Sequence, residues 1–182
     1  MRMTPLFLAL FVLAVAGTSR GAPAFQARVT ATPPKIDGVL DDLTWREAVH
    51  SDAFRQILPL ENADPSERTE FWVTYDADNV YIAVRCFDSA GPAGIRAYSM
   101  QRDQDNGSDD FVRIVFDTFN RQSDGYYFAL TAAGGMQDGL VQNKNDPRNQ
   151  WDAIWYGRVN RDNDGWSAEF ASAGLGRRLH SR

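Results

Sequence analysis

The chain has 182 residues, with 19 basic and 24 acidic side chains, a formal charge of −5 and one cysteine. An acidic surface repels phosphate backbones, and basic residues crowd only at Arg177, Arg178 and Arg182, so nucleic acid is excluded as an expected partner. A single cysteine excludes an internal disulfide framework, which leaves core burial to hold the fold together.

Arg2 is followed by an uninterrupted apolar run from Leu6 to Ala16 and then by small residues ending in Ala22-Pro23-Ala24. That pattern predicts a secretory signal peptide over residues 1–24, because the run is shorter than the roughly 20 residues a bilayer-spanning helix needs. Cleavage after Ala24 leaves 158 residues with 17 bases against 24 acids, the size of one domain with one core.

The mature chain is punctuated by Asp, Asn, Gly and Ser clusters, and the stretches between them alternate apolar and polar residues with period two. Asp41 to Val49 is the exception and is expected as a short helix, with Asp41 or Asp42 as N-cap and Leu43, Trp45 and Ala48 as inward anchors. In the next segments Phe71, Val73 and Tyr75 share one face, as do Val80, Ile82 and Val84, on two strands joined by a turn at Asp76-Ala77-Asp78-Asn79. Cys86 continues the second row and reads as a small buried hydrophobe.

Val112, Ile114 and Phe116 alternate with Phe111, Arg113 and Val115, and this strand is expected to pair antiparallel with Gly125 to Thr131. A glycine turn at Gly134-Gly135 leads to a strand near Met136 to Val141 and then to a polar loop from Asn143 to Gln150. Ala153 to Val159 and Gly165 to Phe170 form the expected final hairpin. The prediction is an all-β, antiparallel two-sheet sandwich with one short helix, over residues 25–170.

Several of these pieces together are similar to a known family: Ile36-Asp37-Gly38, Leu40-Asp41-Asp42 with Trp45, the Tyr75-Asp76-x-Asp78-Asn79-x-Tyr81-Ile82 hairpin and Asp110-x-Val112-x-Ile114-x-x-Asp117. From about Val29 to Phe170 the chain resembles the family 9 carbohydrate-binding modules. Phe116-Asp117-Thr118-Phe119-Asn120, Gly125-Tyr126-Tyr127-Phe128 and Trp151-Asp152-x-x-Trp155 resemble a bacterial subgroup in which the module precedes a predicted outer-membrane barrel. The resemblance implies a β-sandwich, glycan binding, calcium in some members, and association with glycoside hydrolases and carbohydrate catabolism. It also implies a periplasmic or outer-membrane-associated location, with a barrel as partner in full-length relatives.

The chain departs from that family at two places. Sugar-binding members carry a tryptophan before the Asp-x-Val-x-Ile strand, where this chain has Asp105-Asn106-Gly107-Ser108, and an acid where it has Arg113. After Phe170, residues 171–182 change character abruptly, which reads as a truncated or frameshifted end that would leave a sheet edge unpaired.

Sugars are held by flat aromatic faces with polar groups alongside, and the supply here is Trp72, Trp151, Trp155, Tyr126 and Tyr127, with Arg113 as the polar neighbour. Trp45 and Trp166 are assigned to packing. Trp151 and Trp155 are the expected platform, while Trp72 lies either on a second packed face or exposed for binding. For calcium the best oxygen supply is Asp103, Asp105 and Asp109, with Asp76 and Asp78 second.

His50 and His180 are the chain's two histidines, and no nucleophile triad, zinc spacing or phosphate loop accompanies them. The expectation is a non-catalytic module that binds a glycan or polysaccharide. The rivals are a periplasmic interaction or gating domain without sugar affinity, and a nonfunctional fragment.

Overall fold

The computed structural model describes residues 26–103, 108–118, 122–142, 146–148 and 151–173. Ten strands form two sheets, as expected. One sheet holds β1 (Arg28–Val29), β3 (Thr69–Tyr75), β4 (Asn79–Phe87), β10 (Gly165–Ala173) and β9 (Trp155–Asp162) in that order, with β2 (Val49–Ser51) also beside β3. The other runs β5 (Phe111–Phe116), β6 (Gly125–Thr131), β7 (Met136–Gln142) and β8 (Asp146–Arg148).

The period-two rows meet between the sheets. Phe71, Val73, Val80, Ile82 and Val84 from the first sheet pack with Ile114, Phe116, Phe128 and Leu130 from the second, joined by Trp155, Trp166 and Phe170. Each such side chain contributes about 1.5–3 kcal/mol by leaving water. The hairpin turn is built as its sequence indicates: Asp76 Oδ1 accepts the N–H groups of Asp78 at 2.8 Å and Asn79 at 2.7 Å.

β1, β2 and β8 have two or three residues each, too few to show alternation. β1 runs parallel to β3 beside Thr74 and Tyr75, while β2 runs antiparallel beside Phe71 to Val73, so both share one edge of β3. β10 is paired on both sides, with β4 and with β9, and it continues through Ala173, three residues past the expected boundary at Phe170. The last described strand is therefore interior to its sheet and leaves no edge of its own unpaired.

The helix α1 is shorter than expected, Leu43–Glu47, and two of its assignments need correction. Asp42 sits at the N-cap, but its carboxylate accepts the Lys35 N–H at 3.0 Å and caps nothing in the helix. Leu43 is 65 % exposed; the inward anchors are Trp45 and Ala48.

The segment before α1 lies over the outward face of the six-stranded sheet, fastened to Glu169 in the middle of β10. The Glu169 carboxylate is fully buried and accepts three N–H groups: Trp45 Nε1 at 2.7 Å, Asp37 N at 2.9 Å and Gly38 N at 2.6 Å. Ser167 Oγ donates to the Gly38 carbonyl at 2.6 Å. Gly38 has φ +91°, and a Cβ there would lie 2.5 Å from the carbonyl carbon of Val159, so only glycine lets this segment settle on β9.

Candidate functional site

A strand at the edge of the four-stranded sheet sends Val112, Ile114 and Phe116 inward, so Phe111, Arg113 and Val115 face away from the core. Arg113 stands opposite Ala129 on β6. Its guanidinium carbon lies 5.3 Å from the Phe111 ring centroid and 5.0 Å from that of Tyr127, within cation–π range of both. Phe111 is 44 % exposed and Tyr127 is buried. Burial pushes the Tyr127 hydroxyl above its ordinary pKa; the Arg113 charge works against that, and Asp103 and Asp138 add to it.

The five ligand residues expected from the sequence do not converge. Arg113 is on the outward face of one sheet. Trp72 is on the outward face of the other, where it packs beside Trp45, Tyr81 and Ala83 and stacks on His50 at 4.8 Å and 28°. The thickness of the sandwich separates them. Trp72 thus takes the packed-face alternative, with one ring face occupied by the imidazole.

Trp155 requires a correction, because it is a core residue. Only 6 % of it is exposed, Phe170 stacks on it at 5.8 Å and 9°, Phe128 meets it edge-on at 5.3 Å, and its indole N–H donates to Asp138 Oδ1 at 3.1 Å. No ring face is left for a sugar. Trp151 is half-buried and lies against Tyr126 at 4.6 Å and Phe128 at 6.1 Å, so Trp151 and Tyr126 are brought together, at the margin of the core.

The acidic loop gives no assembled cation site among the described residues. Asp109 is buried, and its two carboxylate oxygens accept the N–H groups of Tyr98 at 2.9 Å and Ser99 at 3.0 Å, which ties two loops together. Asp103 is exposed and pairs with Arg102 at 3.3 Å. Asp105 lies outside the described residues. Asp76 is committed to its turn and to the Tyr81 hydroxyl at 2.6 Å, and no group of three potential ligands occurs among the described residues.

Sequence reasoning missed two buried carboxylates that each hold a tryptophan, Glu169 with Trp45 and Asp138 with Trp155. The available signal for Glu169 was an acid set in mid-strand between a small and an apolar neighbour, Ala168-Glu169-Phe170, whereas Asp138 lies between Gln137 and Gly139 and gave no such signal. It also missed Phe111 and Tyr127 as the rings that flank Arg113, although a spacing of two along a strand already places Phe111 on the same face. Between the sheets, a cavity of about 10 Å³ lined by Ile82, Ile114, Phe128 and Trp155 is apolar and far too small for a sugar ring. The chemistry these surfaces offer is recognition at a face, by an exposed ring and a guanidinium.

No protein-family model and no curated protein matches the chain. Among solved structures it is similar to a carbohydrate-binding module of family 9 from Caldicellulosiruptor kristjanssonii in complex with cellotriose. The TM-score is 0.53 at 18 % identity, over 80 % of this chain and 66 % of the other. A structure of such a module from the same organism with glucose gives 0.54 at 17 %, over 81 % and 68 %. A proposed carbohydrate-binding protein from Bacteroides uniformis gives 0.58 at 13 %, over 85 % and 74 %. The chain spans about two thirds of the length of the Caldicellulosiruptor modules. The fold is therefore the two-sheet sandwich of family 9 carbohydrate-binding modules.

Proposed function

We propose that this chain is a non-catalytic glycan-binding module that recognises its ligand on the outward face of the four-stranded sheet, around Phe111 and Arg113. The observation that carries this reading is the shared architecture: three structures described as carbohydrate-binding proteins overlie 80 %, 81 % and 85 % of the chain. Fold alone does not assign an activity, so the site must supply the rest. Phe111 offers an accessible ring beside a charged hydrogen-bond donor, the pairing a sugar requires, while Trp155 and Trp72 have lost ring faces to packing. In this reading residues 1–24 direct export, and the module works in the periplasm or at the outer membrane, beside a glycoside hydrolase or a barrel.

A glycan array probed with the purified chain tests the proposal, with cello-oligosaccharides included because two of the similar structures hold cellotriose and glucose. Binding that Phe111→Ala weakens is the expected result, and silence across every glycan refutes it. Cell fractionation with N-terminal sequencing tests export, for which a mature protein beginning at Phe25 is expected.

One observation favours the interaction-domain reading. Ile57, Leu58 and Leu60 are 62 %, 79 % and 69 % exposed on one loop, an apolar tip of the kind that meets another protein. Replacing the three by serine separates the readings, since glycan binding at Phe111 and Arg113 on the other sheet would survive while a protein contact would be lost.

A further inference from the structure

We propose that the ligand is an acidic glycan, and that Arg113 reads the carboxylate of a uronate unit; this rests on the glycan-binding reading above. Arg55, Arg68, Arg85, Arg96 and Arg102 each have a carboxylate within 4.0 Å. Arg113, like Arg28, Arg46, Arg158 and Arg161, makes no such ion pair among the described residues, but unlike those four its guanidinium lies over aromatic rings, those of Tyr127 and Phe111.

A cation that is positioned but not neutralised is prepared for an anion from outside. The planar fork of arginine matches a carboxylate with two parallel N–H···O bonds, and stacking on aromatic rings limits the rotamer entropy lost on binding. Phe111, exposed on the same strand face, can take the C–H side of the same or the adjoining sugar ring. The chain is acidic overall, so general attraction of polyanions cannot account for such binding, and the selectivity has to be local.

Affinity electrophoresis of the full chain in gels containing polygalacturonate, or neutral hydroxyethyl cellulose at the same mass, tests the inference. Retardation by polygalacturonate is expected to be stronger and to weaken with added salt, because an exposed charge pair is screened. Arg113→Ala is expected to lower the affinity for polygalacturonate by about tenfold or more, the loss of one charge-assisted bidentate contact. Arg113→Lys keeps the charge without the fork and should fall between the two. The wild-type preference between the two polymers is a readout that needs no variant to fold. Binding to the neutral polymer alone, or binding to polygalacturonate that Arg113→Ala leaves intact, overturns the inference while glycan binding stands; binding to neither also overturns the inference, and glycan binding then stands or falls with the array.

Discussion

The indole N–H of Trp155 lies 3.1 Å from Oδ1 of Asp138, whose carboxylate is fully shielded from solvent, so the most aromatic part of the core is fixed by a polar contact. The same carboxylate accepts the Ala153 N–H at 2.6 Å through Oδ2. Asp138 therefore holds the approach to β9 through Ala153 as well as the Trp155 ring between the sheets.

Trp155→Phe keeps the stack on Phe170 and removes one donor to Asp138. The expected cost is about 1–3 kcal/mol, from one hydrogen bond lost to a carboxylate that keeps the Arg102 guanidinium and from the space the smaller ring leaves unfilled. Urea unfolding measures it, and glycan affinity should not change. A Trp155→Phe protein as stable as wild type would show that the contact contributes nothing.

Glu169 supplies a test by pH. Burial raises its pKa above the ordinary carboxylate value, and the N–H groups of Gly38, Trp45 and Asp37 only partly offset that. The folded state therefore holds the proton more tightly than the unfolded chain. The stability Glu169 contributes is complete below the unfolded pKa near 4.5 and is lost as pH rises through the folded pKa. Melting curves of wild type and Glu169→Gln should show the wild-type advantage shrinking from acid toward neutral pH. An advantage that grows over that range would mean the three donors outweigh burial.

Gly38→Ala combines a positive φ with a Cβ pressed against the β9 backbone. A loss of at least about 2 kcal/mol is expected, the scale of a backbone clash that cannot relax through a side chain. Thermal unfolding reads it, and a midpoint within a degree of wild type would contradict the close packing of this segment.

Burial pushes the Cys86 thiol up to about 12, chiefly by desolvation, so the folded protein carries almost no thiolate at pH 8. Iodoacetamide should leave the native chain unlabelled and should label it once in urea. Cys86 is half-buried, so prompt labelling of native protein would show that its thiol ionises more readily than its surroundings indicate.

Asp109 spends both carboxylate oxygens on backbone N–H groups, and Asp103 turns to Arg102. Calcium and chelator should then give the same melting midpoint. A rise with calcium would point to ligands contributed from beyond the described residues.

The strands with long alternating rows were legible in the sequence because each row buries one face: β3, β4, β5, β6 and the β9–β10 hairpin lie where Phe71, Val80, Ile114, Phe128 and Phe170 indicated. β1 and β2 were not, since strands of two or three residues take their pairing from β3 and carry no periodicity of their own. The site was less legible, for a related reason. Period two says that Trp72 and Phe71 point opposite ways, and that Arg113 and Ile114 do, but it does not say which outward face lies under the segment containing Trp45. Trp155 showed the limit most clearly. Its place after a polar loop resembled an exposed platform, and only the pairing of β9 with β10 sets it against Phe170.

β10 fills the slot between β4 and β9, although it is the last described strand to be synthesised. Pairing Gly165 with Phe87 and Ala173 with Asn79 closes spans of about eighty to ninety-five residues, so the larger sheet is completed by a non-local contact. Until the β9–β10 hairpin docks, the edge of β4 that β10 covers remains open to other chains. The register thus makes docking of the β9–β10 hairpin against β4 the non-local step that completes the larger sheet.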